Sequence, residues 1–575
     1  MITPARVVLA GCICVLGLCG GLRAATPPQR LAHFEAMGKP AVLPDGTLAL
    51  YFVDIRGPGL APTPATQELR CRTSSDNGRT WSDYQSLLTF PAEEGGFGFH
   101  CVLVDRMGEV HLFLLCDANT GIIRARQPAE GRPAVEPLAR QRLDIWHVRS
   151  TDQRTKWTQP RRIWEGRGGD LQSVIQLRDG RIVLPICYAV NRSWRDRGEG
   201  FNAFTYMGQF DCTVLYSDDQ GATWQKSGSV LRAPTPHIGG NGAVEPVVVQ
   251  LNDGRVWMLL RTQNGRFYES FSHDGAEWSP ARPTPILSSD SPAGLVRLSD
   301  GRLVLLWNNC QRFPYAQGAR NVLHAAISDD DGRTWRGYRE IMRDPHRNDP
   351  PPPGGDHGVA YPYPVQAPDG RIVYTMWVQS GQGRSVEAFD PQWLLETSDG
   401  DDFSKGLDRW SVFGTKGAQV VMERDSADGY VLSLQKTDAD WPCAAVWNFP
   451  CTPSGKLKMR VQIQPPFTGA TLMLTDHFSV PFDAQDEFHS VYRIPIATDS
   501  RSSGAIPGGR WIDLELRWDA DGRACRLFID AQASVMLPQQ RQSPGPSYLR
   551  IKCDALEPEP GRLLIDSVQI SADGD

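Results

Sequence analysis

Leu177-Arg178-Asp179-Gly180-Arg181-Ile182-Val183-Leu184-Pro185-Ile186 is the stretch on which the fold turns. An apolar residue and a spacer precede Asp-Gly, and an apolar run follows it. The same phrase stands at LPDGTLALYF (Asp45-Gly46), LNDGRVWMLL (Asp253-Gly254), LSDGRLVLLW (Asp300-Gly301) and APDGRIVYTMW (Asp369-Gly370), with a degenerate copy, VDRMGEVHLFLL, around Gly108. Each copy reads as a hairpin: Asp-Gly supplies a tight turn, and β-branched and aromatic residues build the strand behind it. Six copies about 65 residues apart predict an all-β fold, a six-bladed β-propeller with four strands to a blade.

A second phrase, Ser-x-Asp-x-Gly-x-Thr-Trp, interleaves with the first. Good copies run Ser74–Trp81, Ser217–Trp224 and Ser328–Trp335; Ser272–Trp278 is one residue short, and Ser150–Trp157 has Arg154 in place of the glycine. In such a phrase Ser and Asp side chains accept from the N–H groups of a tight turn, glycine permits positive φ, and tryptophan pins the hairpin to its blade. It is a structural device and carries no catalytic role. The sixth blade lacks a copy, as expected of a blade closed by an N-terminal strand.

From Asp401 (DDFSKGLDRW) onward the second phrase is gone, and alternating strands such as Leu457–Ile463, Trp511–Trp518 and Leu563–Ile570 take over. This part resembles a concanavalin-type jelly roll, a β-sandwich that serves exported glycan enzymes as a carbohydrate-binding or spacer module. The expected organisation is a signal peptide at 1–25, the propeller at 26–395 and the sandwich at 396–575.

The signal peptide is read from Arg6, the apolar run from Val7 to Leu22, and the small residues Ala24 and Ala25. The run is too short and glycine-rich for a membrane span, and no other span is expected. A secreted or periplasmic protein follows; Leu9-Ala10-Gly11-Cys12 offers lipid anchoring as the less favoured alternative. A net charge of −6 with interspersed signs argues against a nucleic-acid partner. Three of 13 cysteines lie in the leader, and the other ten show no CxxC pair or ligand spacing, so neither a metal nor a cofactor is expected. Cys101, Cys116 and Cys187 read as core residues, and the proximity of Cys443 to Cys451 offers a disulfide between them.

Inner strands converge at a propeller's axis, so charged residues beside the Asp-Gly phrases are the candidates for chemistry. Glu245 stands in GGNGAVEPVVVQL and Arg261 in VWMLLRTQNG; Arg320 opens a strand in QGARNVLHAAIS, and Tyr361 heads the sixth blade in HGVAYPYPVQAPDG. Each lies in apolar surroundings, where a charge is costly without a partner.

The two interleaved phrases identify residues 33–390 as similar to the sialidase (neuraminidase) family of Asp-box propellers. The resemblance implies an exo-glycosidase with a glycan substrate. Arg261 and Arg320 then correspond to two of three arginines that clamp a substrate carboxylate, for which a planar, permanently charged fork is suited. Tyr361 corresponds to the nucleophile and Glu245 to its general base; a phenol with an ordinary pKa of about 10 needs such a base. Arg56, in YFVDIRG, matches a further site-lining arginine. Two positions depart from the family. Its first triad arginine is replaced in the phrase Gly38-Lys39-Pro40, where Lys39 is expected on the opposite face of its strand. Its acid/base aspartate is missing from GPGLAPTPAT, near Thr63, leaving Glu68, Glu93, Glu94, Asp170 or a histidine as substitutes. His100, His237 and His357 all lie in glycine-rich stretches near inner-strand starts and are taken as site-lining residues.

The leading expectation is a secreted glycoside hydrolase acting, as a monomer, on a terminal acidic sugar. A polysaccharide lyase on uronate glycans and a glycan-binding propeller without turnover are the alternatives.

Overall fold

In the computed structural model, the structure describes residues 25–34, 38–56, 66–90, 94–117, 142–190, 209–235, 241–311, 319–349, 358–378, 384–412, 418–424, 429–480, 483, 485–498, 505–519 and 522–572. Residues 1–24, all but the last residue of the expected signal peptide, lie outside them. Five antiparallel sheets follow one another along the chain, and a sixth is completed by the N-terminus. The first blade runs Lys39–Val42, Leu48–Arg56, Thr66–Ser74, Gln85–Phe90. The second is Gly96–Val104, Val110–Asp117, Leu143–Thr151, Arg161–Trp164, with Lys156–Trp157 as an extra short strand. The third is Ile175–Gln176, Ile182–Ala189, Phe210–Ser217, Gln225–Lys226, and the fourth Val244–Gln250, Val256–Arg261, Arg266–Ser272, Arg282–Leu287. The fifth is Gly294–Arg297, Leu303–Trp307, Val322–Ser328, Arg336–Arg343. In the sixth, Val359–Gln366, Ile372–Val378 and Arg384–Phe389 are joined by Gln29–Phe34 as the outer strand. That pairing ties the start of the ring to its end.

The Asp-Gly phrases behave alike. In each of the six turns the glycine N–H donates to the carbonyl three residues back, at 2.9–3.1 Å, from Gly46→Leu43 to Gly370→Ala367. Gly180 there has φ 103°, which a residue with a Cβ rarely adopts. The strand that follows is apolar at almost every position because both its faces are covered. In blade four Val248, Met258 and Leu260 pack towards blade three, while Val247, Val249 and Leu259 pack towards blade five. Six such clusters fill the six junctions between neighbouring blades. Cys101, Cys116 and Cys187 lie in them.

The second phrase closes as its chemistry requires. Ser217 Oγ accepts from Gly221 N at 2.8 Å, and Asp219 accepts from Thr223 N and Thr223 Oγ1 at 2.7 and 2.6 Å. Ser74, Asp76 and Thr80 repeat the pattern, and Trp81 Nε1 donates to Gly78 O at 2.9 Å.

After Phe389 a 3-10 turn at Pro391–Leu395 leads to Ser398–Asp401, the first strand of a β-sandwich. An eight-stranded sheet and a five-stranded sheet enclose one core that includes Trp410, Trp447, Leu457, Trp518 and Ile565. Gly455–Gln464 alternates buried and more open residues strictly, as a strand with one covered face does. The sandwich is bound to blade five: Cys310–Gln311 pairs with Phe478–Ser479, and Tyr548 Oη bridges His324 Nε2 at 2.5 Å and Glu340 Oε1 at 2.7 Å. Cys451 does not meet Cys443; its Sγ donates to Gly545 O at 3.3 Å, because Cys443 and Cys451 lie at opposite ends of the strand Ala444–Asn448. Among the described residues no helix is long and apolar enough to cross a membrane.

Candidate functional site

The innermost strands of blades four and six begin alike. Val244-Glu245-Pro246-Val247 and Ala360-Tyr361-Pro362-Tyr363 each place a proline after the residue of interest. Proline has no N–H for the ladder, and pairing slips at both points, between Val244 and Val247 and between Ala360 and Tyr363. Glu245 and Tyr361 have φ 45° and 57°. Residues with a Cβ adopt that left-handed region at a cost of about 1–3 kcal/mol each. The bulges take both side chains out of strand alternation and bring them together.

Tyr361 Oη donates to Glu245 Oε1 at 3.0 Å. Arg261 ends the second strand of blade four, opposite Val244. Its Nη1 donates to Tyr361 Oη at 3.0 Å and is ion-paired with Glu245 Oε2. Its Nε donates to Asp290 Oδ1 at 2.7 Å, and Gln263 Nε2 donates to Asp290 Oδ2 at 2.9 Å. Arg320 Nη2 donates to the backbone carbonyl of Asp290 at 2.7 Å, and its guanidinium lies 5.4 Å from the centroid of the Tyr361 ring. Trp377 meets that ring edge-on at 6.3 Å.

Burial sets the electrostatics. It pushes the Glu245 carboxyl above its ordinary range, against the pull of Arg261. It likewise raises the Tyr361 phenol well above 10, with Glu245 adding to the shift and Arg261 and Arg320 opposing it. Desolvation works against charge on Arg261, but Asp290 and Glu245 outweigh it and hold the guanidinium charged. Asp290 stays below its ordinary value because Arg261 overcomes its own desolvation. The cluster thus sets a phenol held in its neutral form between a carboxyl group whose ionisation burial opposes and a guanidinium held charged.

Tyr361, Glu245, Arg261 and Arg320 thus meet although 116 residues separate Glu245 from Tyr361. Lys39 differs from expectation. It is buried, its Nζ lies 2.6 Å from the centroid of the Tyr363 ring, and it is within electrostatic reach of Asp170 and Glu245. Beside it, a Cβ at Gly38 would meet Leu50 Cβ at 3.0 Å and Tyr51 O at 3.3 Å. Position 38 is therefore tight for a side chain, and Lys39 opens the strand. Desolvation holds its ammonium well below the usual lysine range, against the opposing pull of Asp170 and Glu245. Asp170 also acts on Glu245 and Tyr361. Glu68 is engaged on the third strand of blade one by Arg70 Nη2 at 2.7 Å and Ser86 Oγ at 2.6 Å. Glu94 is exposed. Glu93, Thr63, His237 and His357 lie outside the described residues, as do the side chains of Arg56 and His100. Sequence reasoning missed Asp290 and Gln263. Asp290 stands in SSDSPAGLVRL, just ahead of the fifth blade's inner strand, and that position was its signal. Among the described residues no group of three or more His, Cys, Asp or Glu is arranged to hold a metal.

Residues 96–374 match the BNR repeat-like domain. A sialidase of Micromonospora viridifaciens is 26% identical over 385 residues, 61% of this chain and 51% of that protein. The chain thus spans about half the length of that curated relative. Among solved structures, a Dyadobacter fermentans protein of unknown function aligns at TM-score 0.44 and 18% identity over 64% of this chain and 98% of its own. A Trypanosoma rangeli sialidase bound to the inhibitor DANA aligns at TM-score 0.40 and 12% identity over 94% and 92%. A mutant of the NanB sialidase of Streptococcus pneumoniae aligns at 0.42 and 15% over 63% and 69%. The chain thus carries a BNR repeat-like domain over residues 96–374 and is similar to sialidases, with an altered first-blade phrase.

Proposed function

We propose that this protein is an exported exo-glycosidase that releases a terminal acidic sugar from glycans with retention. The observation that carries the reading is the hydrogen bond from Tyr361 Oη to Glu245 Oε1 at 3.0 Å, with Arg261 Nη1 donating to Tyr361 Oη at 3.0 Å. Glu245 takes the phenol proton as Tyr361 Oη attacks the anomeric carbon, and the sugar is held as an aryl glycoside until water releases it. A neutral phenol approaches an anionic sugar without charge repulsion. Arg261 Nη2 makes no hydrogen bond among the described residues and, with Arg320, is the cationic surface offered to a carboxylate, with Lys39 buried beside it. Asp170, coupled electrostatically to both Glu245 and Tyr361, is the carboxyl group assigned to protonate the leaving oxygen. Arg56, His100, His237 and His357 complete the proposed lining. Residues 1–25 form the export signal, 26–395 the catalytic propeller and 396–575 a sandwich that presents or binds glycan; the working unit is a monomer.

One feature favours a second substrate class. Asp290 already uses Arg261 Nε and, through its backbone carbonyl, Arg320 Nη2. Less of the arginine pair is left for ligand, which favours an acidic sugar less highly functionalised than sialic acid, such as a uronide. The test is hydrolysis of fluorogenic sialosides and uronides by the wild-type chain and by Tyr361→Phe. Release by the wild type with loss in the variant supports the mechanism, and the preferred glycone names the class. An ultraviolet-absorbing unsaturated product would instead establish a lyase. Glycan binding with no product from any substrate would leave a binding propeller.

A further inference from the structure

Two pairs of cysteines face each other across antiparallel strands. In blade three, Cys187 and Cys212 are register partners. In the five-stranded sheet of the sandwich Ala444 pairs with Lys552, and Cys443 and Cys553 are the next residues along. There Cys553 N donates to Cys443 O at 2.9 Å. The sulfurs separate the two cases. Cys212 Sγ is turned to Ala243 O at 3.3 Å, and Cys187 Sγ lies against Gly169, 2.4 Å from where a Cβ would stand. Cys443 Sγ and Cys553 Sγ point at each other and are 3.3 Å apart.

A disulfide needs Cα atoms about 4.4–6.8 Å apart, and directly opposed residues of an antiparallel pair are about 4.5–5.5 Å apart. The backbone is already suitable, and rotation about the two Cα–Cβ bonds closes the gap. We propose that Cys443 and Cys553 form a cross-strand disulfide when the chain folds under oxidising conditions, and that the other eight described cysteines stay as thiols. This is independent of how the propeller site is read.

The chemistry places the step early in folding. Both sulfurs end in the sandwich core, 1% and 3% exposed. There the hydrogen bond to Cys443, together with burial, holds the Cys553 thiol far above its ordinary range. The attacking species is a thiolate, so exchange belongs to the open chain. The Cys443 thiolate attacks a disulfide of the oxidant, a dithiol–disulfide oxidoreductase or oxidised glutathione, and expels one thiolate. The Cys553 thiolate then attacks Cys443 Sγ and expels the second. Two cysteine thiols lose two protons and two electrons, and the oxidant's disulfide becomes two thiols. The bond closes a loop spanning 110 residues, from an early strand of the sandwich to its last part, and long loops lose the most chain entropy on cross-linking.

The test uses the full chain folded with a mixture of reduced and oxidised glutathione. It is denatured without reductant, alkylated and mapped by mass spectrometry. The expected result is one linked peptide pair containing Cys443 and Cys553, with alkyl groups on every other cysteine outside the leader. Reductant should lower Tm by several degrees in the wild type and leave Tm unchanged in Cys443→Ala/Cys553→Ala. Alkylation of both residues after oxidative folding, or a link between a different pair, would overturn the proposal.

Discussion

Glu245 and Tyr361 occupy the same place in blades four and six: each precedes a proline, each sits at a bulge with positive φ, and their side chains share a 3.0 Å hydrogen bond. Two strained backbones two blades apart are turned so that a carboxyl group meets a phenol. Removing the hydroxyl alone isolates its chemistry. Tyr361→Phe should lower kcat by at least about 100-fold while Tm changes little, because the ring keeps its contacts with Arg320 and Trp377. Steady-state kinetics beside thermal unfolding reads both. An unchanged kcat removes Tyr361 from the mechanism.

In the proposed mechanism Glu245 must be ionised to accept the phenol proton, and burial raises its pKa above 4.5. Activity should therefore fall as pH drops through that raised value. The phenol is held well above 10, so tyrosine ionisation should cause no loss at mildly alkaline pH. The pH dependence of kcat/KM tests this. Glu245→Gln should abolish the acid limb along with most of the rate.

Lys39 is a buried lysine with no ion pair among the described residues, sitting on the Tyr363 ring. Lys39→Met keeps the length and removes the desolvation cost. Tm should hold or rise. If Lys39 meets the substrate's anionic group, KM should rise at least about tenfold with a smaller change in kcat. Equal loss of both parameters with a lower Tm would mark Lys39 as purely structural.

The second repeated phrase should matter for stability and not for rate. Asp219→Ala removes the acceptor of Thr223 N and Oγ1. It should destabilise the propeller by about 1–2 kcal/mol, leaving kcat at 25 °C near wild type. Denaturant unfolding followed by tryptophan fluorescence gives the first figure, and the fluorogenic assay gives the second.

His477 provides a stability signature in the sandwich. Desolvation works against its charge, but Asp486 and Asp476 outweigh it and lift its pKa from 6.5 to about 9. A pKa raised on folding contributes stability that is fully present below pH 6.5 and is lost as pH rises through 9. The linkage amounts to about 3 kcal/mol at most. Tm should fall between pH 6.5 and 9, and His477→Gln should flatten that slope while lowering Tm at pH 6.

What the sequence determined by itself is everything carried by local patterns. The Asp-Gly turns, the Ser–Asp–Thr–Trp hairpins and their spacing count the blades, because each is a short-range device whose hydrogen bonds stay within a few residues. The missing copy in blade six implied closure by the N-terminus, which Gln29–Phe34 provides. The residues of the proposed site were legible as charged and polar residues in apolar strands: Glu245, Arg261, Arg320 and Tyr361. Only the tertiary structure decided how they meet. Asp290 reaches Arg261 because blade five stands beside blade four. Lys39 lies buried because the Tyr363 ring of blade six stands beside the first strand of blade one. Cys443 faces Cys553 because Ala444–Asn448 pairs with Tyr548–Cys553. Each is a packing outcome between segments far apart in the chain, and no local pattern encodes which distant segment will be the neighbour.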